Sequence, residues 1–363
     1  MGEIEKVIDK CTECGICLNE CDFLQKYSEF PRELAVKYKN NDLTGIIPYS
    51  CNICGLCKLR CPLDLDIGKM FIEIRQQLVK CGLGPLPEHA SIVEAQEFYI
   101  SDEFKTVIPS GDESTKRIFF PGCSLSAYSP DLVKKTYEYL DEKLGETGIM
   151  LGCCGGPAYL TGDHETSYSI SQDMIQEVEK VKAREIIVAC PFCYGLLKQN
   201  YPDMKFISLF VILNKIGIPA RITESTNSNY NIHDPCTARF QTEIQDSVRS
   251  IVKKLGYNTV EIAHSKDESH CCGMGGMVYA VDEELGKLKS MRTLDETEYD
   301  TVTYCATCRE TLQGQGGRVL HVLDLIFNQD LDNASNVPPN SPETTIENLK
   351  SLKSALIKNH SYK

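Results

Sequence analysis

One arrangement of cysteines occurs twice between Cys123 and Cys308, and no other feature limits the possible folds and functions of this chain as strongly. The first copy contains Cys123, the adjacent pair Cys153 and Cys154, and the pair Cys190 and Cys193. The second copy contains Cys236, the adjacent pair Cys271 and Cys272, and the pair Cys305 and Cys308. Their nearly equal spacing indicates a tandem duplication. Each copy gathers five thiols, one more than a tetrahedral metal or a cubane iron–sulfur cluster needs.

A second repeated motif precedes the first. Its cysteines are separated by two, two and three residues, at Cys11, Cys14, Cys17 and Cys21 and again at Cys51, Cys54, Cys57 and Cys61. This is the run of two-cluster ferredoxins, in which the fourth cysteine of each motif binds the other [4Fe–4S] cubane. The predicted ligand sets are therefore Cys11, Cys14, Cys17 and Cys61 for one cubane, and Cys51, Cys54, Cys57 and Cys21 for the second. The first motif has Asp22 where this pattern places a proline. A zinc site would leave half of these cysteines without a role.

Composition decides how nineteen cysteines are to be interpreted. The formal charge of −13 and the pI near 5.1 argue against nucleic acid as a partner, and 42% apolar residues exclude a disordered chain. The first residues lack the apolar core of a signal peptide, and no apolar run is long enough to span a membrane. We therefore expect a cytoplasmic protein with reduced thiols, in which metal binding outranks disulfide formation.

The pattern of apolar residues predicts a mixed fold, α+β with α/β units. A helical two-cluster domain is expected first, with helices at 31–40 and 67–79, followed by two small α/β domains. The strands are expected at 117–120, 185–189, 230–234, 259–263 and 301–304, and the helices at 130–144, 166–182, 243–255 and 282–294. Strands alternating with helices predict a small parallel sheet in each copy, with cysteines at the carboxyl ends of the strands.

The predicted domains are residues 1–110, 111–227, 228–327 and a tail at 328–363. Residues 110–115 and 328–344 have the composition of linkers. The tail ends in a predicted helix at 345–358, which we expect to pack on this protein or on another protein of a complex rather than on a membrane. Cys81 belongs to no motif and is expected to be an ordinary thiol.

Several features of the doubled arrangement favour a polynuclear metal centre. Adjacent cysteines in an extended chain point to opposite sides, so each adjacent pair suits two different iron atoms. The paired cysteines are expected to open helices, whose N-termini stabilise thiolates. Glycines at 155, 156, 273, 275 and 276 are expected to let the chain approach an inorganic core. Five converging thiolates would repel each other unless several cations compensate their charge.

The doubled motif resembles the cysteine-rich "CCG" domain of heterodisulfide reductase, and its fusion to a two-cubane module resembles the D subunit of that enzyme. The resemblance covers residues 1–327. It implies two noncubane [4Fe–4S] clusters, the first on Cys123, Cys153, Cys154, Cys190 and Cys193, the second on Cys236, Cys271, Cys272, Cys305 and Cys308. One departure is Thr237, where many relatives have histidine. Because some CCG domains hold zinc, zinc in one of the two sites stays open.

The same resemblance implies a function. Two cubanes would pass electrons to the two noncubane clusters, which reduce a disulfide lying between them by one electron each and each capture a thiolate. The expected partners are a thiol or disulfide molecule and redox subunits of flavoprotein, hydrogenase or membrane cytochrome type, the last of which would bring the chain to a membrane. The alternative is an electron-transfer subunit of a flavin-dependent or bifurcating dehydrogenase that reduces no disulfide itself.

The sequence also predicts whether a nucleotide cofactor binds and what role the histidines have. No glycine-rich dinucleotide motif follows a strand, so neither flavin nor NAD is expected on this chain. His270 directly precedes Cys271 and could supply a proton or a hydrogen bond to cluster sulfur. For His270, and for His233 and His264 near strand ends, a structural imidazole with satisfied hydrogen bonds is the favoured interpretation.

Overall fold

The structure is a computed structural model that describes residues 2–43, 45–111, 115–219, 228–328 and 330–360. Its N-terminal part is helical around the first two cysteine motifs. The helices are α1 (Glu3–Lys10), α2 (Asp22–Tyr27), α3 (Pro31–Lys39), α4 (Leu56–Arg60), α5 (Ile67–Lys80) and α6 (Ala90–Ile100). Short 3-10 helices lie at Ile47–Tyr49 and Pro87–His89.

Helix α5 organises this helical part. It begins at Ile67, where the Asp66 side chain accepts a hydrogen bond from the backbone N–H of Lys69. Its Met70, Phe71 and Ile74 are buried in one core with residues of α1 to α3. The predicted helices at 31–40 and 67–79 are confirmed.

A five-stranded sheet follows the helical part. Its strands are β1 (Thr106–Ile108), β2 (Arg117–Phe120), β3 (Thr147–Leu151), β4 (Glu185–Val188) and β5 (Lys205–Ser208), in the order β1-β3-β2-β4-β5. The helices around it are α7 (Cys123–Tyr128), α8 (Pro130–Leu144), α9 (Gly156–Thr161), α10 (His164–Lys180), α11 (Pro191–Asn200) and α12 (Leu209–Ile216). The expectation of a purely parallel sheet is wrong at one edge, because β1 pairs with β3 antiparallel.

A second, fully parallel sheet repeats this plan. Its strands are β6 (Asn229–His233), β7 (Asn258–Glu261), β8 (Thr301–Thr303) and β9 (Val319–His321), in the order β7-β6-β8-β9. The helices are α13 (Thr242–Lys254), α14 (Glu283–Leu294), α15 (Ala306–Gln313) and α16 (Val322–Phe327), with 3-10 helices at Cys236–Ala238, Lys266–Glu268 and Gly275–Ala280. Corresponding strands occupy corresponding places in the two sheets, so the duplication of cysteines is a duplication of the fold.

The ends of the parallel strands bring most of the cysteines of the doubled arrangement to one edge of each sheet. In the first sheet, β2, β3 and β4 are neighbours and lead to Cys123, to Cys153 and Cys154, and to Cys190. In the second sheet, β6 and β8 lead in the same way to Cys236 and Cys305. Cys190 and Cys305 are followed at once by helices α11 and α15, as predicted for these pairs.

The tail differs from its prediction in one respect. The expected linker at 328–344 contains a short helix, α17 (Leu331–Asn336), before α18 (Pro342–His360). Leu349, Leu352 and Leu356 of α18 are buried in the same core as residues of both sheets. The prediction that the C-terminal helix packs on this protein is confirmed.

Two expected boundaries fall where the structure is only partly described. Residues 112–114 of the expected linker and residue 227, the expected end of the second domain, lie outside the described residues. Strand β1 precedes residue 110 but belongs to the first sheet. Its alternation was too short to be recognised in the sequence.

One buried side chain connects the helical part to both α/β units. Arg75 of α5 is fully buried and donates hydrogen bonds to the backbone oxygens of Pro48 and Cys51 at 2.8 and 2.7 Å. It also donates to Leu160 O in the first α/β unit at 2.6 Å and to Gly276 O in the second at 3.0 Å. Burial lowers the pKa of Arg75 to about 10, so the guanidinium stays charged at neutral pH.

We predict that Arg75→Met destabilises the protein by roughly 3 kcal/mol or more, because four buried carbonyls would lose a charged donor. Because multidomain proteins often unfold irreversibly, the measurement is the rate of unfolding under argon at fixed temperature, followed by circular dichroism. Arg32→Met is the matched control, because the Arg32 side chain is 47% exposed and forms a long ion pair with Glu13 at 3.7 Å. Equal unfolding rates for the two variants would contradict the connecting role of Arg75.

Candidate metal centres

The eight N-terminal cysteines line two adjoining cavities. Cys11, Cys14, Cys17 and Cys61 line one of them, and Cys21, Cys51, Cys54 and Cys57 line the other. These are the two crosswise sets predicted from the spacing. Cys17 and Cys57 contribute to both cavities, so the two predicted centres adjoin. Cys14 is exposed, whereas Cys51 is buried, so the first cavity lies nearer the surface.

The chemistry of these cavities fits a polynuclear cation. Burial, together with the neighbouring thiols Cys11 and Cys21, raises the pKa of Cys17 to about 12. Burial and the nearby Cys21 raise the pKa of Cys51 to about 12 as well. Bare thiolates are therefore unfavourable here at neutral pH. A multi-iron core would supply the positive charge that several thiolates need.

The five cysteines of the first doubled site are brought together as predicted. Cys154 Sγ lies 3.1 Å from Cys193 Sγ, and the thiol of Cys153 contacts that of Cys123. The members of the adjacent pair therefore have different partners outside the pair. Cys190 contacts Cys193 and completes the set.

The second doubled site has the same arrangement. Cys271 Sγ lies 3.9 Å from Cys236 Sγ, while Cys272 contacts Cys308. Cys305 contacts Cys308 and occupies the place of Cys190. The same division of partners in both copies fits a core that spans several iron atoms better than a single tetrahedral ion.

The glycines beside the adjacent pairs serve two purposes, of which the sequence indicated one. Gly156 and Gly275 lie beside sulfur, where an added Cβ would come within 3.4 Å of Cys154 Sγ and 2.9 Å of Cys271 Sγ. Gly155 and Gly273 have positive φ, and an added Cβ would lie 2.4 Å from a backbone oxygen of α10 or α14. Glycine is therefore needed at these two positions for the turn and for close packing of the helix. Their N–H groups each lie 3.4 Å from the first sulfur of the adjacent pair.

The two doubled sites meet each other. The thiols of Cys190 and Cys305, one from each copy, are in contact. Cysteines of both copies line a single cleft between the two α/β units. On its other side, the second site approaches the N-terminal part, because Cys271 also lines the cavity of Cys51 and Cys54. The four predicted centres therefore form one continuous series.

Polar contacts hold the second site against the N-terminal motifs. Asn52 donates to Gly273 O at 2.7 Å, and Arg239 donates to Cys54 O at 3.0 Å and to Ser269 O at 2.6 Å. Sequence reasoning missed both residues. They lie inside or next to the cysteine motifs, but a single Asn or Arg carries no pattern that predicts such a contact.

Asp22, which stands where the ferredoxin motif usually has a proline, forms ion pairs with residues of helix α14. Its carboxylate pairs with Lys289 at 2.9 Å and with Arg292 at 3.4 Å. Burial alone would lower the pKa of Lys289, but Cys21, Cys54 and Asp22 together raise it above its usual range. Lys289 is thus a buried positive charge between the second N-terminal cavity and the second doubled site. It is a further residue that the sequence did not indicate.

His264 and His270 lie together with stacked rings, whereas His233 is buried separately. His264 Nδ1 donates to Glu296 Oε1 at 2.6 Å, and His270 Nδ1 lies 3.0 Å from the same oxygen, with the two rings stacked. Glu20 is close enough to share a metal ion with them, but it already pairs with Arg60. His233 is fully buried, and neither ring nitrogen has a hydrogen-bond partner within the described ranges. The expectation of a satisfied imidazole is wrong for His233 and also for His270, whose ring nitrogens make no hydrogen bond of acceptable geometry within the described residues.

Comparison with protein families finds matches in three segments of the chain. A 4Fe-4S dicluster domain matches residues 7–65, and the CCG cysteine-rich domain matches twice, at 118–198 and 230–313. The chain thus combines one 4Fe-4S dicluster domain with two CCG cysteine-rich domains, a combination similar to the heterodisulfide reductase D subunit. The resemblance inferred from the motifs is therefore confirmed, as is the α/β fold class with an N-terminal ferredoxin-type domain.

The similar proteins are components of redox enzymes. The D subunit of dihydromethanophenazine:CoB--CoM heterodisulfide reductase from Methanosarcina mazei is 24% identical, over 84% of this chain and 88% of that protein. The B subunit of fumarate reductase (CoM/CoB) from Methanothermobacter marburgensis is 25% identical, over 90% of this chain and 73% of that protein. EtfAB:quinone oxidoreductase of Syntrophomonas wolfei is 23% identical, over 65% of this chain and 37% of that protein.

The domain matches and the similar proteins indicate an iron–sulfur oxidoreductase component that binds [4Fe–4S] clusters. Among the helices that the structure describes, none is long and apolar enough to cross a membrane.

We predict that Lys289→Met lowers the reduction potential of a neighbouring cluster by about 60 mV or more, the one-electron equivalent of ~1.4 kcal/mol. Loss of the buried positive charge disfavours the more negative, reduced state. Lys287→Met, on the same helix, is the control, because the Lys287 side chain is half exposed and pairs with Glu283. EPR-monitored redox titrations of both variants measure the effect. Equal potentials in the two variants would show that Lys289 acts only in packing.

Proposed function

We propose that this chain is a disulfide-reducing component of heterodisulfide reductase type with four [4Fe–4S] clusters. The two cubanes would be held by Cys11, Cys14, Cys17 and Cys61 and by Cys21, Cys51, Cys54 and Cys57. The two noncubane clusters would each be held by the five cysteines of one doubled site. The matches to a 4Fe-4S dicluster domain and to two CCG domains support iron–sulfur binding. The number and type of the clusters and the disulfide substrate belong to the proposal.

The observation that carries the proposal is the contact between the two doubled sites. Cys190 and Cys305 touch, and both sites line one cleft. A chain that only conducted electrons would have no need for two five-cysteine centres that share one space at the end of the series. Two five-cysteine centres facing a shared space can instead act on the two halves of one bond.

The arrangement supports a defined direction of electron supply. The cavity with Cys14 is nearest the surface, the cavity of Cys51 and Cys54 is next, and the second doubled site adjoins it through Cys271. Electrons entering at the first cavity would reach the second doubled site before the first one. The exposed side chains of Ile16 and Leu63 mark the surface beside the first cavity, where a redox partner of flavoprotein, hydrogenase or cytochrome type would bind.

The overall reaction is the two-electron cleavage of a disulfide, in which RSSR, two electrons and two protons give two RSH. When bound, the two noncubane clusters supply one electron each and iron that can accept a thiolate. The chain itself positions the two sites on either side of the cleft, and donates the N–H groups of Gly155 and Gly273 towards cysteine sulfur. Ser124, Thr237 and Thr307 are the hydroxyl groups lining the cleft.

Iron analysis tests the cluster assignment. Wild-type protein prepared under argon is expected to contain about sixteen iron atoms per chain, four per cluster. The double substitution Cys153→Ser with Cys154→Ser is expected to remove about four of them. Cys81→Ser is the matched control, because Cys81 is an exposed thiol outside every motif. Zinc in place of part of the iron in the wild type, or equal iron in both variants, would contradict four iron–sulfur clusters.

A thiol titration tests the disulfide chemistry. Addition of 2-mercaptoethanol to oxidised protein is expected to produce a new paramagnetic EPR signal, because a thiol can bind at a noncubane cluster after oxidation. Ethylene glycol, which has the hydroxyl groups without sulfur, is the control. Full iron content with no thiol-dependent signal would rule out the disulfide function and leave the clusters in place.

The similarity to EtfAB:quinone oxidoreductase favours a second function, that of an electron-transfer component of a flavin-dependent dehydrogenase complex. This function requires a flavoprotein partner in stoichiometric amount. It is distinguished by rapid electron exchange with that partner and by the absence of disulfide reduction in the isolated chain.

A further inference from the structure

The cleft between the two doubled sites has an unusual lining for a protein of such high charge. Besides cysteines, its main side chains are Pro157, Leu160, Phe192, Pro235, Met274 and Met277. In the part of the chain that the structure describes, the lining includes no Lys, Arg, His, Asp or Glu. From this we infer that the cleft takes a small, uncharged disulfide, an inference that rests on the proposed function.

Charged substrates need partners that this cleft lacks. Proteins bind carboxylate, sulfonate or phosphate groups with Arg, Lys or free N–H groups, and an unpaired charge in an apolar site costs several kcal/mol. Lys289 and Arg239, two of the basic residues near the second site, have other partners. Lys289 pairs with Asp22, and Arg239 donates to backbone oxygens. Neither lines the cleft.

The helix N-termini at the cleft do not replace these cations. Helices α11 and α15 begin beside Cys190 and Cys305, and a helix N-terminus can bind an anion. However, the backbone N–H of Cys193 interacts with the Cys190 thiol, and that of Cys308 with the Cys305 thiol. These donors therefore serve the cysteines of the site.

The local charge also disfavours an anion. Eight cysteines line the cleft, and the whole chain carries a formal charge of −13. The ligated thiolates would therefore repel a substrate anion. They would attract a substrate cation, but the lining residues that the structure describes offer it no carboxylate partner. A neutral disulfide avoids both penalties. Met274 and Met277 are flexible apolar side chains that adapt to short aliphatic groups beside the disulfide.

The matched test uses three disulfides with the same carbon skeleton. Bis(2-hydroxyethyl) disulfide is neutral, 2,2′-dithiodiethanesulfonate is a dianion and cystamine is a dication. The full chain, with reduced methyl viologen as electron donor and an enzyme-free blank, converts each RSSR to two RSH with two electrons and two protons. We expect kcat/KM to be at least tenfold higher for the neutral disulfide than for the dianion, with the dication between them.

The outcomes separate this inference from the proposed function. Equal or faster reduction of the dianion overturns the inference and leaves the disulfide function standing. If none of the three is reduced and no thiol produces the EPR signal, the proposed function itself fails. A thiol titration with 2-mercaptoethanol, 2-mercaptoethanesulfonate and cysteamine gives the same order independently of turnover, and the strongest response to the sulfonate would also overturn the inference.

A variant that adds a charge provides the reciprocal test. Met277→Arg places a cation in the lining and is expected to shift the ratio of dianion to neutral kcat/KM upward by at least tenfold. Met277→Leu, which keeps the site uncharged, is expected to retain the wild-type order. Iron content of both variants shows that the clusters are intact. An unchanged ratio in Met277→Arg with full iron content would contradict an apolar lining as the cause of selectivity.

Discussion

The guanidinium of Arg75 is the interaction on which the arrangement of the metal centres depends. It is fully buried, and its acceptors lie in three parts of the chain: Cys51 and Pro48 in the helical part, Leu160 in the first α/β unit and Gly276 in the second. A buried charge without acceptors would be strongly unfavourable, so the three parts can satisfy it only in this relative position. Electron transfer between separate cysteine sites requires the same fixed position.

The duplication produced two sites with equal geometry and unequal surroundings. Both have the same pairing of sulfurs, and both have a glycine N–H near the first sulfur of the adjacent pair. Among the described residues, the second site lies against the N-terminal motifs, through Asn52, Arg239 and the ion pair of Lys289 with Asp22. The second site is therefore suited to receive electrons. The first site adjoins the second through Cys190 and Cys305.

The sequence predicted what depends on spacing. The repeated cysteines indicated which thiols come together, and the apolar period located long helices such as Ile67–Lys80 and Pro130–Leu144 almost to the residue. Strands β1 and β9 were missed because their pairing depends on distant strands and neither leads into a cysteine motif, whereas the equally short β8 was predicted from its place before Cys305. Arg75, Lys289 and Arg239 were missed for a related reason. Their roles arise from partners far along the chain, which no local pattern identifies.

The cysteines and the lining of the cleft are subject to different constraints. A cluster needs sulfur at fixed positions, so proteins that hold the same cluster keep the same spacing of cysteines. The side chains between the two sites, such as Leu160, Phe192 and Met277, do not hold the metal and can change with the substrate. At 24% identity to a component of a CoB--CoM heterodisulfide reductase, the shared motifs therefore say more about the path of the electrons than about their acceptor. The charge of the cleft lining is the better guide to that acceptor, since it acts directly on the molecule that binds.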